Sequence, residues 1–496
     1  MRNRFVFVKI ALLALILFLG ACGDPAQNSH STDSVQKNPE ETADAGQKKE
    51  TLGVERQDFA GYEFKALRPT TLGGRDEDEV TSEEETGDPI NDAIYKRTRM
   101  AEEHLNVKIG SVTAAGVGTI EMTNHVKKIV QSGSAEFDAL VDMLYTQVRL
   151  VQEGMLTNFY IVPNIDLGKS WWDQRLIMDT SFENKKLYYL CGDINYWDDY
   201  GVGVTYFNKR LFAENGLDYP YEAVRRGKWT FDEFAKLTKG FTKDINGDGK
   251  LDENDQWGML ENIGAVTKFV AGFGEKIVTL DDNGIPYLRS MDEAHINAVE
   301  LLGAFFSDRN AVLLAGSSQI KAGDPYAAIR EVFKNGRGLM FYEMIGVIPN
   351  LRDMEDDFGL LPLPKRDENQ KEYYNFISWG WATAYCIPIT NDNLARTGAI
   401  LETMAAYSVD TLTPALIDVS LKSKFARDEE SAEMLELIFR TKSYDIGLDY
   451  DIGGLYGVYC DVSMNGAGKF VSAIEKKMPA AQKAIDKLIA KIAELP

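Results

Sequence analysis

The sequence predicts a two-lobed α/β protein, each lobe a mixed, largely parallel sheet flanked by helices. Three observations predict it. At 496 residues the chain is too long for one compact core and long enough for two. Hydrophobic residues make up 44% and charged residues 26%, ordinary globular values, so the bulk should fold. Short apolar strand patterns alternate with helical ones, which implies sheets covered by helices.

Taken in order, the chain opens on an address. Arg2, Arg4 and Lys9 precede an unbroken apolar run from Ile10 to Leu19, too short to span a bilayer as a permanent helix. Leu19-Gly20-Ala21-Cys22 then fits a lipoprotein signal, so residues 1–22 read as signal peptide with Cys22 as the lipid-bearing new N-terminus. A lipid-linked start attaches a protein without spanning the membrane. Residues 23–56 carry almost no large apolar side chain and read as a disordered tether.

Folding is expected from residue 57. Lobe I should comprise 57–203 and 380–428, and lobe II 204–379 and 429–496. Alternation over Tyr62–Leu67 predicts the first strand, and Asp88-Pro89 starts a helix with Ile90, Ile94, Ala101 and Leu105 on one stripe. A strand at Val107–Ile109, a helix over Ile120–Val130 and a buried strand over Phe137–Met143 follow. Aromatic residues then crowd between Trp171 and Tyr206, among them Trp172, Tyr188, Tyr189, Tyr196, Trp197 and Tyr200.

In the second lobe Thr230 and Glu233 form a capping-box pattern before Phe231, Phe234, Ala235 and Leu237. Asn283-Gly284 predicts a hairpin turn. Glu293–Phe306 reads as a helix, Val332–Glu343 as helix end, glycine turn and buried strand, and Phe358–Pro364 as a strand stopped by prolines. Ser378–Pro388 should cross back to the first lobe. Helices are predicted over Leu394–Ser408, Ser431–Phe439 and, last, Pro479–Leu495.

One segment carries a metal-site pattern. From Asp244 to Asp255, Asp244, Asn246, Asp248, Asp252 and Asp255 occupy positions 1, 3, 5, 9 and 12 of an EF-hand-type loop, with Gly249 at position 6. Alternating oxygens on a tightly turned loop can converge on one hard cation. Lys250, at position 7, would offer only its carbonyl. A structural Ca²⁺ is therefore expected, with Asp255 a shorter arm than the usual Glu.

The runs Tyr206-Phe-Asn-Lys209, Asn215-Gly-Leu217, Gly227-Lys-Trp-Thr230 and Gln256-Trp-Gly258 flank that loop. Together they resemble the type 1 extracellular solute-binding proteins, the receptor lipoproteins of ABC importers, to which maltodextrin-binding proteins are distantly similar. The resemblance implies a periplasmic-binding-protein-like (type II) fold with hinged lobes and a ligand in the interlobe cleft. It also implies permease subunits as partners, a monomer, and a lipid-anchored place on the extracytoplasmic face of the membrane, on a Gram-positive cell surface. Four places should face the cleft: Asp142, Met143 and Tyr145 after the buried strand; Trp197, Asp198, Asp199 and Tyr200 at the first crossing; Tyr342 and Glu343 at a strand end; and Trp379 and Trp381 at the second crossing. Sugar rings pack C–H faces on aromatics and present hydroxyl edges to carboxylates, so a saccharide is the leading ligand. A peptide or other polar solute is the alternative. The turn after Tyr342 lacks the Trp that several maltodextrin relatives carry.

Other functions leave weaker traces. A net charge of −22 argues against nucleic acid as partner. Cys22, Cys191, Cys386 and Cys460 are too few and scattered for a disulfide framework. Of four histidines, His30 falls in the tether, and His104, His125 and His295 fall in helical segments where solvated positions are expected. No nucleophile elbow, H-E-x-x-H or P-loop occurs, and no catalytic residue or organic cofactor is expected. Two carboxylates suffice for glycoside hydrolysis, so a surface hydrolase stays open as a reading of another class, as does an adhesive lipoprotein.

Overall fold

The computed structural model describes residues 50–72, 77–422 and 429–496, and residues from Glu50 to Pro496 form one compact unit. The signal peptide, Cys22 and most of the expected tether lie outside the described residues. The tether's expected end needs correction. Val54 is buried, and its carbonyl bonds the His104 ring, so ordered packing starts before residue 57.

Thirteen strands are described, and nine of them build two sheets. In chain order they are β1 (Tyr62–Pro69), β2 (Val107–Ala114), β3 (Ala139–Met143), β4 (Gly203–Asn208), β5 (Trp257–Glu261), β6 (Val278–Leu280) and β7 (Pro286–Leu288). There follow β8 (Val312–Leu314), β9 (Gly338–Met344), β10 (Phe358–Leu361), β11 (Asn375–Phe376), β12 (Thr383–Cys386) and β13 (Lys442–Ser443). The first sheet runs β12-β3-β1-β2 and the second β10-β4-β9-β5-β8. β1 pairs in parallel with β2 and β3, whereas β12 returns antiparallel to β3. In the second sheet β5 lies parallel to β8 and β9, and β4 antiparallel to β9 and β10. Each sheet is thus parallel on one side and antiparallel on the side that holds β12 or β4, the strands next to the crossings.

Two crossings join the sheets side by side. Val202 bridges Ile377, Ser378 N–H donates to the Gly201 carbonyl, and Leu144 N–H donates to that of Ala382. At Gly201 the strands touch so closely that an added Cβ would lie 2.8 Å from the Ala382 nitrogen. A third connection pairs β11 with β13 in parallel. The last helix is longer than its sequence suggests, Phe470–Glu494, with Pro479 inside. It starts against lobe II, where the Phe470 ring meets Tyr459, and ends on lobe I, where Lys186 Nζ donates to the Ile492 carbonyl at 2.8 Å.

Local predictions hold closely where apolar periodicity and a cap coincide. The helices Glu293–Phe306 and Leu394–Ser408 have the predicted bounds, and Asp88 caps Pro89–Leu105 through the N–H groups of Ile90 and Asn91. Gly284, at φ 73°, turns the β6–β7 hairpin. Two local readings are corrected. Thr230 occupies the N-cap position of Phe231–Thr238, but its side chain makes no capping bond. His295 is buried, within 2.7 Å of the Tyr459 hydroxyl, and desolvation pulls its pKa down to about 4.

Candidate functional site

The two crossings carry the site. The short helix Trp197–Tyr200 precedes β4, and Ser378–Ala382 precedes β12, so side chains on both crossings meet between the sheets. Trp197 and Trp381 lie 6.2 Å apart between ring centroids, and Tyr200 packs edge-on to Trp197 at 5.3 Å. On the other side of the second crossing Trp379 stacks on Tyr145, with centroids 5.6 Å apart and planes 22° from parallel. Aromatic pairs in these arrangements are held in place as rigid apolar surfaces.

Three adjoining compartments are arranged around these rings. The largest, about 740 Å³, is lined from lobe I by Glu77, Asp78 and the helix residues Asp88–Ile94, from lobe II by Gly346–Arg352, and from the crossings by Trp197, Tyr200 and Trp381. A second, about 150 Å³, shares Trp381 and contains Glu343, Lys268, Asn262, Tyr326 and Trp379. A third, about 290 Å³, shares Trp379 and Tyr456 with the second and is bounded by Tyr145, Arg149, Gln152 and Asp449–Asp451. Trp381 and Trp379 therefore stand as partitions along one interlobe cleft, and both are only partly buried. Clefts at domain interfaces with apolar walls and a few convergent polar groups are the usual form of small-molecule sites.

Of the residues expected at this cleft, Tyr145, Trp197, Tyr200, Glu343, Trp379 and Trp381 line it. Glu343 is 5% exposed, accepts Met344 N–H at 3.0 Å and lies 3.9 Å from Arg330. Five of the expected residues are corrected. Asp142 is fully buried on β3, where its carboxyl accepts Met143 N–H and is pushed up to about 7 by burial. Met143 is buried beside it. Tyr342 points into the core of lobe II, against Phe269, because alternate β9 residues face opposite sides of the sheet. Asp198 and Asp199 face away from the cleft, toward Lys442 of β13 at 3.0 and 2.7 Å, which Asp173 also approaches at 3.2 Å. Helix Trp197–Tyr200 thus separates an aromatic face in the cleft from an ionic face that ties the third connection to the first. Burial lowers the affinity of the Lys442 amine for its proton, and the three carboxylates outweigh that and hold it well above the ordinary value.

Sequence reasoning missed Arg149, Lys268, Tyr326, Asp449 and Tyr456. Arg149 alone carried a local signal, since it stands one helical turn beyond Tyr145 in Leu144–Glu153. The others come together only through tertiary folding.

Solved structures share this fold. The chain matches an ABC substrate-binding protein, Lmo0181 of Listeria monocytogenes, solved with cycloalternan: TM-score 0.51, 14% identity, 87% of this chain and 99% of that one. The chain has the two-lobe periplasmic-binding-protein-like fold. This two-lobe fold also matches M. tuberculosis UspC, at TM-score 0.55 and 13% identity over 85% of this chain and all of that one. An extracellular solute-binding protein of Staphylococcus aureus, solved with maltose, matches at 0.52 and 12% over 87% and 97%. The L. monocytogenes and S. aureus neighbours are named as substrate-binding and solute-binding proteins. No family model matches the sequence, and no curated protein matches it. Among the described residues, no helix of this two-lobe chain is long and apolar enough to cross a membrane.

The loop Asp244–Asp255 is turned as a cation loop requires. Gly247 and Gly249 have φ of 75° and 76°, a backbone that favours glycine. Asp244 accepts the Gly247 and Gly249 N–H groups at 2.7 and 2.8 Å, Asn246 accepts Asp248 N–H, and Asp248 accepts Lys250 N–H. Lys243 and Gln256 pair across the base. The flanks are not helix–loop–helix: the preceding helix ends at Thr238, and β5 follows at Trp257. The oxygens at positions 1, 3 and 5 accept loop N–H groups but belong to exposed side chains, so each keeps a lone pair within reach of a cation. Asp255 is buried with both oxygens accepting N–H groups, of Ile245 and Asp252, and Asp252 lies 3.1 Å from Lys321 Nζ. The donor set and backbone fit a hard cation, with Asp252 and Asp255 the arms that must reorient.

Proposed function

We propose that the chain is the lipid-anchored saccharide receptor of an ABC importer, displayed outside the cytoplasmic membrane and delivering its ligand to permease subunits. One observation carries the reading: Trp379 and Trp381, on a crossing between hinged lobes, divide the interlobe cleft into compartments walled by aromatic rings and edged by carboxylates and amides. Rings of this kind suit sugar faces, and the polar edges suit hydroxyls. Contacts from Trp197 on one side and Glu343 on the other favour the closed arrangement when a ligand bridges them. The neighbours solved with cycloalternan and maltose support a carbohydrate.

Ca²⁺ at Asp244, Asn246, Asp248, the Lys250 carbonyl, Asp252 and Asp255 would brace lobe II at the entry to β5. A thermal-shift screen against mono- and oligosaccharides and peptides tests the reading, because a specific ligand stabilises by RT ln(1 + [L]/Kd). A sugar hit should reduce the radius of gyration in small-angle scattering. A peptide hit with no sugar hit, or release of product from a glycan, overturns it.

A further inference from the structure

The compartment beside Trp379 has a charge pattern that neutral sugars do not need. Arg149 lies half-buried in its wall, its guanidinium 3.6 Å from the Tyr145 ring centroid. Tyr145 in turn stacks on Trp379, so cation, phenol and indole form one layered wall. Among the described residues, no carboxylate and no hydrogen-bond acceptor engages this guanidinium, whose one contact is the Tyr145 ring. The chain has 76 acidic residues against 54 Lys and Arg, so acids to neutralise it are plentiful. A planar fork of donors, fixed against a ring and left without an anion, is pre-organised for a planar oxyanion.

A second group faces the same compartment. Asp449 ends the short helix Ile446–Asp449, is 5% exposed, and leaves its Oδ2 with no hydrogen-bond partner. We propose that this compartment takes the carboxylate of an acidic saccharide, a uronic-acid unit, paired with Arg149 and hydrogen-bonded by Asp449. Burial, and then the nearby Asp445, raise the Asp449 carboxyl well above its ordinary range, which favours its protonated, hydrogen-donating form and weakens its repulsion of an anion. The remaining carboxylate of the wall, Asp451, is exposed to water, where screening weakens its repulsion. The uronate ring would lie against Trp379, with the chain continuing past that indole toward Glu343 and Trp381.

This assignment rests on the saccharide reading above, and the experiment separates the two. The full-length chain in detergent is titrated calorimetrically with oligogalacturonates and oligoguluronates, their carboxyl-reduced counterparts, a sulfated oligosaccharide and maltotriose. At least one uronate should bind about tenfold or more tighter than its reduced form, the scale of one charge-assisted hydrogen-bond pair. Arg149→Gln should abolish that preference while leaving affinity for the reduced form unchanged. Asp449→Asn, which keeps an N–H donor, should retain the preference that Asp449→Ala loses. Equal or better binding of reduced or neutral sugars overturns the acidic-sugar assignment alone. Preference for the sulfated sugar overturns the carboxylate. No binding of any sugar overturns the saccharide reading and this assignment with it.

Discussion

Replacing Lys442 by Met should cost the fold several kcal/mol, and the cost should depend on pH. The ammonium lies 3.2, 3.0 and 2.7 Å from Asp173, Asp198 and Asp199, with its own side chain 6% exposed. At an effective dielectric of about 20, each contact near 3 Å is worth about 5 kcal/mol before desolvation. Burying the four charges consumes most of that, and removing one partner of such a buried cluster typically costs about 3–5 kcal/mol. Methionine fills similar space, so packing changes little and the loss reports uncompensated carboxylates. Burial already raises the Asp198 carboxyl, with Lys442 opposing. Without the lysine that opposes it, this rise is larger, and Asp198 takes up its proton more readily as pH falls. Urea unfolding of wild type and Lys442→Met, followed by tryptophan fluorescence, should therefore show the full loss at pH 8 and less than half of it at pH 5. Adding Asp198→Asn should restore part of the loss at pH 8. A loss below about 1 kcal/mol at pH 8, or the same loss at both pH values, would refute this account of the crossing.

Four further outcomes are expected. Burial raises Asp142 to about 7, and raises Glu261 to about 7 against the opposing pull of Lys268, so each holds in the folded chain a proton that the unfolded chain has released. Their contribution to stability is complete below about pH 4 and is lost as pH rises through about 7, so Asp142→Asn should flatten the decline in urea midpoint between pH 5 and 8. Trp379→Ala and Trp381→Ala should each weaken sugar binding by about 1–3 kcal/mol in calorimetry, and wild-type affinity in both would remove the cleft assignment. Chelation should lower the melting temperature of wild type and leave Asp248→Ala little changed, a difference that vanishes if the loop binds no Ca²⁺. Cys22→Ala should abolish incorporation of labelled palmitate at the N-terminus, and continued labelling would place the anchor elsewhere.

Much of the fold was legible because its signals are local. The apolar stripe of Glu293–Phe306 and the Asp88 cap each lie within a few turns of chain. The crossings were legible as aromatic-rich runs, and Trp379 and Trp381 do line the cleft. Which face a residue presents was less so. Glu343 reaches the cleft and its neighbour Tyr342 does not, a distinction set by strand register against β4 and β5. Asp198 looked like a sugar ligand until Lys442, 244 positions away, appeared beside it. Arg149 and Asp449 belong to helices far apart in sequence, and only the folded chain brings them to one wall.

Those distances along the chain also govern when the molecule can become itself. The first sheet is finished by β12, where the side-chain amide of Gln147 meets the Ala384 carbonyl across 237 positions, and the C-terminal carbonyl of Pro496 receives Asn158 across 338. A nascent chain holds neither partner until long after Gln147 and Asn158 have been made. Non-local closure of this kind slows folding, because loop entropy is lost before the contacts form. Lobe I therefore cannot lock while β12 is still unmade, and the helix Phe470–Glu494 clasps both lobes only once its own residues have arrived.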